Sequence, residues 1–321
     1  MILNQQQIDS FQENGFLAVE NVLNAEDLQP LLEEYDALLS QITEELFLKG
    51  KLSSKYEGLA FSERYTEIAR ECPQCVDYLN ISLPLVNGEV DPEHYRVHSG
   101  PAVFDLLRHP KILDLVEPFL GSEIASSPVL QMRIKPPLKK VASDCAAHSN
   151  VGLTTWHQDT VAVLPEANET NQITVWIAVT DASIENGCLA SIAGSHKDGE
   201  HRHVPGLIPR EPTVPESAIN NRKGTPLPVK KGGVVIFHKQ NIHCSLPNRS
   251  NQLRWSLDIR YHPVGQPSGR PAFPGFIARS RQDPSSVLSD AGIWAQMWQD
   301  ARTRIVNGEY QGRLFRDWEN D

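Results

Sequence analysis

Two textures divide this chain. Up to about residue 122 the apolar positions recur at the helical period, and from about 125 they collapse into short runs punctuated by Pro, Gly, Asn and Ser. In the first part, Asn4 caps a short helix carrying Ile8 and Phe11 that Gly15 closes, with 16–19 extended behind it. Asn24 caps a longer helix whose first turn holds Glu26 and Asp27, where acidic charge meets the positive end of the helix dipole. Leu28, Leu31, Leu32, Tyr35, Leu38, Leu39, Ile42 and Leu46 keep one face of it apolar. Pro30 inside that pattern predicts a kink or a later start. Residues 50–95 read as an irregular insertion, and helices resume over 102–107 and 111–120, the second stopped by Gly121.

In the second part, strands are predicted over 129–134, 154–159, 172–180, 233–238 and 253–261. Short strands separated by turn residues predict an antiparallel sandwich or barrel. The last strand alternates, with Leu253, Trp255, Leu257, Ile259 and Tyr261 on one face and Arg254, Ser256, Asp258 and Arg260 on the other. Residues 198–228, rich in Pro, Gly, Arg and Asn, read as a long loop of the kind that serves as a lid or binding loop. After residue 263 a Pro- and Arg-rich tail leads to a helix over 291–305, with Trp294, Trp298, Ala301 and Ile305 on one side. The expectation is a single domain spanning 1–321, with a helical part (about 1–122), a β core (about 125–262) and a tail (about 263–321).

Composition narrows the functional classes. With 40% hydrophobic and 22% charged residues the chain is an ordinary globular protein. A net charge of -10 without a basic block argues against nucleic acid and anionic membranes as partners. No apolar run nears the roughly 18 residues of a spanning helix and no signal-peptide pattern opens the chain, so the expected location is the cytoplasm. Five scattered cysteines fit a reducing compartment; Cys72-Pro-Gln-Cys75 has no second pair for zinc and no βαβ context for redox work. No feature specifies an oligomeric state.

The chemistry concentrates in His157-Gln158-Asp159. On a strand, residues two apart share a face, so the imidazole and carboxylate project together while Gln158 points away. His243 follows the apolar strand Val234-Val235-Ile236-Phe237 and can supply a second imidazole. Two histidines and one carboxylate with an open face form the arrangement of non-haem Fe(II) oxygenases. His238 is the rival ligand and ranks behind His243; His196 reads as a structural hydrogen-bonding histidine. Polar side chains filing along one face of a buried strand need partners, and a guanidinium such as Arg254 matches a dicarboxylate.

The order His157-x-Asp159, Trp176, Asn186-Gly187-Cys188-Leu189, Gly194-Ser195-His196, His243, Ser245, Pro247-Asn248 and Arg254, with Arg254 eleven residues after His243, resembles the phytanoyl-CoA dioxygenase family over roughly residues 6–262. The resemblance implies a mainly β fold with flanking helices around a double-stranded β-helix (jelly-roll, cupin-like) core. It implies Fe(II), 2-oxoglutarate and molecular oxygen as cofactors, with succinate and carbon dioxide released. By matched position, His157, Asp159 and His243 hold the iron, Arg254 pairs with the far carboxylate of 2-oxoglutarate with Ser256 assisting, and Trp176 and Gln131 line the cosubstrate pocket. Arg96 or His98 is a looser match for a further polar contact.

The chain departs from the family pattern at Ala193, where Pro is common, and at Gly232-Gly233, where Gly-Asp is common. Halogenating relatives replace the metal carboxylate by a small residue; Asp159 is present, so hydroxylation is expected. The expected substrate is a free small molecule, probed by segment 135–153, the 198–228 loop and the tail, in specialised metabolism. Arg202, Arg210, Arg270 and Arg279 read as solvated loop charge, with recognition of an anionic substrate as the alternative. The competing outcomes are desaturation, epoxidation or ring formation, hydroxylation of an acyl-CoA greeted by Lys139-Lys140, and a non-catalytic metal-binding jelly roll.

Overall fold

The computed structural model describes residues 2–81, 97–146, 150–206, 212–314 and 316–317. Its helices are α1 (Gln5–Asn14), α2 (Ala25–Leu48), α3 (Phe61–Glu71), α4 (Pro101–Leu107), α5 (Pro110–Leu120), α6 (Ser143–Ala146), α7 (Glu216–Ile219) and α8 (Ala291–Val306). The strands are β1 (Phe16–Val19), β2 (Ile124–Ser126), β3 (Gln131–Lys135), β4 (Thr154–His157), β5 (Ile173–Ala178), β6 (Leu189–Ser191), β7 (Val204–Pro205), β8 (Pro212–Thr213), β9 (Thr225–Leu227), β10 (Val234–His238), β11 (His243–Ser245), β12 (Arg254–Pro263) and β13 (Phe276–Arg279).

Local chemistry explains the helices. Asn4 and Gln7 form a reciprocal capping box on α1, and Gly15 ends it at φ 78°, a left-handed conformation that glycine adopts without a Cβ penalty. Asn24 and Asp27 do the same for α2, which buries Leu28, Leu31, Tyr35, Leu39, Ile42 and Leu46. Pro30 neither moves the start of α2 nor splits it. It is exposed, so the carbonyl that loses its N–H partner faces water. The irregular insertion expected over 50–95 is corrected by α3 in its described part, 50–81, where that helix buries Tyr65, Ile68 and Ala69; residues 82–95 lie outside the described residues. Its N-cap is Ala60, with no capping side chain, so the usual start signal is missing from the sequence.

All strand pairing is antiparallel. The large sheet runs β1-β10-β5-β12-β2-β13, with β3 also on β12, and the small sheet runs β4-β11-β6-β9. Together they make the double-stranded β-helix. The sheet is wider than the stretch expected to form it: β1 comes from the helical part and β13 from the tail. The described residues of the 198–228 segment are not all loop, since β7 and β8 pair and β9 joins the small sheet beside β6.

Strand β12 organises the core. Ser256 to Tyr261 pair with β5 on one edge, and Arg254 to Asp258 pair with β3 on the other. Its apolar face enters one cluster with the helices, where the Trp255 ring stacks on Phe61 at 4.7 Å and meets Tyr35 at 5.4 Å. Trp294 and Trp298 of α8 join the same cluster beside Phe104 and Phe273. The other face of β12 looks toward the small sheet.

Candidate metal centre

His157 ends β4 and His243 begins β11, and the two are direct partners across that ladder with ring centroids 4.3 Å apart. Each ring is oriented by its own backbone two residues away: His157 Nδ1 lies 2.8 Å from Thr155 O, and His243 Nδ1 lies 2.9 Å from Asn241 O. A hydrogen on each Nδ1 leaves both Nε2 atoms as lone-pair donors, the tautomer a metal requires. The strand stops at His157 rather than running through 159, and Asp159 opens a 3-10 turn (Asp159–Ala162). Gln158 between them stays extended, at φ -109° and ψ 146°, so the same-side projection of His157 and Asp159 survives. One ligand atom from each of His157, Asp159 and His243 lies within 4.8 Å of the others, a set that can hold a metal ion.

Asp159 is held from two sides. Its Oδ2 accepts from Thr174 Oγ1 at 2.5 Å, and its Oδ1 pairs with Arg260 Nη2 at 2.5 Å. Burial alone would raise its pKa, but the Arg260 guanidinium and the two imidazoles outweigh that and hold the carboxyl well below the usual carboxylate range. Burial and the neighbouring His243 bring His157 down to about 4, and burial lowers His243 as well. At neutral pH the site therefore presents two neutral imidazoles and one carboxylate, the protonation state in which all three bind a metal.

Gln158, between the two ligands, does more than point away from them. Fully buried, its Nε2 donates to Gly199 O at 2.8 Å and Gln240 O at 2.7 Å, and its Oε1 accepts from His201 N at 2.8 Å. It thereby ties the metal-bearing segment to the 198–228 excursion and to the turn before His243.

Arg254 lies on the inward face of β12 and is wholly buried. Its Nε donates to Gly187 O at 3.1 Å, its Nη1 donates to Ser256 Oγ at 2.6 Å, and the guanidinium sits 5.4 Å from the Trp176 ring. The Gly187 turn is constrained to glycine: at φ 96°, an added Cβ would fall 2.5 Å from Leu246 O. Arg254 Nη2 has no hydrogen-bond partner. Burial pushes this guanidinium down to about 9, an effect that the Asp258 carboxylate only partly offsets. A buried cation with an unpaired N–H is costly unless an anion arrives, and a carboxylate fits it.

A cavity lies against the metal centre; His157, His243, Thr174, Trp176, Arg133, Asp258 and Arg260 are among the residues lining it, while Arg254 and Ser256 are not. Thr154 and Ser245 line it too, hydrogen-bonded to each other at 2.9 Å, and Lys135 Nζ donates to Ser245 Oγ at 2.6 Å. Gln131 is half-buried on β3 on the face it shares with Arg133, yet Arg133, not Gln131, lines the cavity. His98 is 2.7 Å from Glu34 of α2, away from the metal centre, and Arg96 lies outside the described residues.

His196 bonds Gln12 O at 3.1 Å and packs 5.3 Å from His238, so neither joins the triad. Arg202 is exposed, as expected, whereas Arg210 lies outside the described residues. Two other arginines are not solvated loop charge: Arg270 is buried and donates to Ala162 O at 2.6 Å, and Arg279 pairs with Asp114 at 2.9 Å and Glu117 at 2.6 Å. The five cysteines are buried free thiols. Among the described residues no helix is long and apolar enough to cross a membrane.

The chain is similar to known proteins along most of its length. The family model described as phytanoyl-CoA dioxygenase (PhyH) matches residues 11–256. Phytanoyl-CoA dioxygenase domain-containing protein 1 of Rattus norvegicus is 26% identical over 272 residues, covering 78% of this chain and 87% of that protein. A probable alpha-ketoglutarate-dependent hypophosphite dioxygenase of Stutzerimonas stutzeri is 31% identical over 186 residues, 54% of this chain and 59% of that one. Among solved structures, the non-heme monooxygenase ThoJ superposes with a TM-score of 0.57 at 19% identity over 95% of this chain and 99% of its own. The epimerase SnoN, in complex with Fe3+, alpha-ketoglutarate and nogalamycin RO, gives 0.52 at 18% identity over 83% and 87%. With the family model covering most of a chain whose buried triad and unpaired guanidinium suit iron and a dicarboxylate, the protein belongs to the phytanoyl-CoA dioxygenase family and is an iron- and 2-oxoglutarate-dependent oxygenase.

Proposed function

We propose that the chain hydroxylates a free small molecule, with His157, Asp159 and His243 holding the iron and Arg254 and Ser256 holding the far carboxylate of 2-oxoglutarate. The observation that carries this reading is Arg254 Nη2, a buried donor without a partner on the strand that also supplies the Arg260 contact to Asp159. Bound iron and 2-oxoglutarate supply the oxidising chemistry, with molecular oxygen as oxidant and succinate and carbon dioxide as co-products. The protein's part is placement. Thr174 and Arg260 restrain Asp159, the Thr155 and Asn241 carbonyls aim the imidazoles, and Trp176 walls the cosubstrate beneath Arg254. Gln131, like Arg254 and Ser256, is not among the residues lining the cavity; Arg254 is preferred as the carboxylate partner for its unmet N–H.

Lys139 and Lys140 stand exposed on a 3-10 turn, and among the described residues nothing builds a phosphate site around them, which supports a free substrate over an acyl-CoA. Five free thiols support a reducing compartment such as the cytoplasm. The test is succinate formation from 2-oxoglutarate with Fe(II), ascorbate and oxygen across a substrate panel, each reaction paired with Asp159→Ala. Turnover that survives in the variant, or no 2-oxoglutarate-dependent Fe(II) absorption band under anaerobic conditions, overturns the reading.

A further inference from the structure

We propose that Asp258 orients the substrate by accepting a hydrogen bond from it, so that the substrate is a hydroxyl-bearing molecule without positive charge. This rests on the oxygenase reading above and adds the class of molecule the site takes. On the inward face of β12 the polar residues stand two apart, about 6.5 Å along the strand. Arg254 and Ser256 face the cosubstrate end, and Arg260 is spent on Asp159. Asp258 has no part in that division of labour, yet it lines the same cavity as His157 and His243.

Its two oxygens differ. Oδ2 accepts from Arg133 Nε at 3.1 Å, whereas Oδ1 is buried and has no hydrogen-bond partner. A carboxylate present only to neutralise Arg133 would gain most from a two-pronged pair that satisfies both oxygens. The single contact through Nε leaves one oxygen in need of a donor. Two residues on, Arg260 Nε is a buried donor without a partner, and Arg260 lines the cavity too. The strand thus offers an acceptor followed by a donor.

Charge selects the kind of donor. Asp258 is already met by Arg133 and Asp159 by Arg260; the two carboxylates of bound 2-oxoglutarate offset Arg254 and half the charge of a divalent metal, which leaves Lys135 and the other half as positive charge in the surroundings. An ammonium group placed at Asp258 would meet these cations at close range in a medium that screens poorly. A hydroxyl supplies the O–H to Asp258 without that repulsion, and a neighbouring oxygen can accept from Arg260 Nε.

The test uses protein loaded with Mn(II) and 2-oxoglutarate and titrates it calorimetrically with trans-cyclohexane-1,2-diol, its dimethyl ether and trans-2-aminocyclohexanol. The diol is expected to bind about tenfold more tightly than either other probe, because one lacks the donor and the other is a cation. Asp258→Asn, which preserves shape and a carbonyl for Arg133, is expected to weaken the diol about tenfold without weakening 2-oxoglutarate, whose carboxylate at Arg254 would lose a neighbouring negative charge. Equal binding of diol and ether, preference for the amine, no diol binding at millimolar concentration, or an unchanged diol affinity in the variant overturns the proposal. Loss of 2-oxoglutarate binding by the Mn(II)-loaded unsubstituted protein would instead overturn the oxygenase reading.

Discussion

The two faces of β12 are made of alternate residues of one ten-residue strand, and they do opposite things. Outward, Trp255, Leu257, Ile259 and Tyr261 are sealed into the helix-covered core. Inward, Arg254, Ser256, Asp258 and Arg260 are buried as well, but Arg254, Asp258 and Arg260 each leave a polar atom unmet. Burial is therefore not the difference; satisfaction is. The apolar face is complete when the chain folds, while the polar face holds groups whose partners are expected from outside. A shift of one residue along the strand exchanges a position that carries stability for one that carries binding.

That contrast can be broken in several ways. Asp159→Ala should have the largest effect, because it removes a metal donor and strips Arg260 of its anion. Mn(II) affinity measured by calorimetry should fall by at least about 100-fold, with turnover lost. A variant that bound metal normally and merely melted earlier would make Asp159 a core residue. Next, Trp255→Ala on the outward face should lower unfolding free energy in urea by about 3–5 kcal/mol, with unchanged 2-oxoglutarate affinity in the folded protein. A large loss of cosubstrate affinity there would erase the distinction between faces.

One position away the expectation reverses. Arg254→Met should weaken 2-oxoglutarate by about 30- to 100-fold, or about 2–3 kcal/mol, through the lost charge-assisted hydrogen bonds. The apo-protein should be no less stable than the parent, since a buried guanidinium with one N–H unmet has gone. Clear destabilisation of the apo-variant would show that Arg254 serves the fold.

The smallest effect is a pH dependence that belongs to neither face. Burial brings His157 and His238 to about 4 and His203 to about 3, from an ordinary 6.5. The unfolded chain therefore takes up protons first as pH falls below about 6.5, and stability declines from there toward pH 4. The apo-protein melting temperature should drop by at least about 2 °C between pH 7 and pH 5. Trp255→Ala and Arg254→Met should show the same slope, as none of the three histidines lies on β12. A flat profile would contradict the burial of these imidazoles.

How much could be read in advance depended on the range of the interaction. The caps at Asn4 and Asn24 and the stripe of α2 act within a few residues, and their elements formed where expected. Helix α3 escaped because Ala60 offers no cap and its charged residues include Arg64, which turns inward to Asp36 and Ser40 of α2. Strand β9 escaped because three residues, two of them exposed, show no alternation and owe their conformation to β6. In the site, His157, Asp159, His243 and Arg254 were legible by type and spacing. The Thr174 and Arg260 contacts to Asp159, the three side-chain hydrogen bonds of Gln158 and the preference for Arg133 over Gln131 in the cavity wall were not.

By itself, then, the sequence determined the helical faces, the alternation of β12 and the set of residues able to hold iron and a carboxylate, because periodicity and side-chain chemistry are local properties. Only the tertiary structure decided which polar groups meet. Strand register places His243 opposite His157 and Asp258 opposite Gln131, and no local rule sets registers between segments a hundred residues apart. It also decided which groups go without a partner, and those unmet atoms at Arg254, Asp258 and Arg260 are what point from a fold to a ligand.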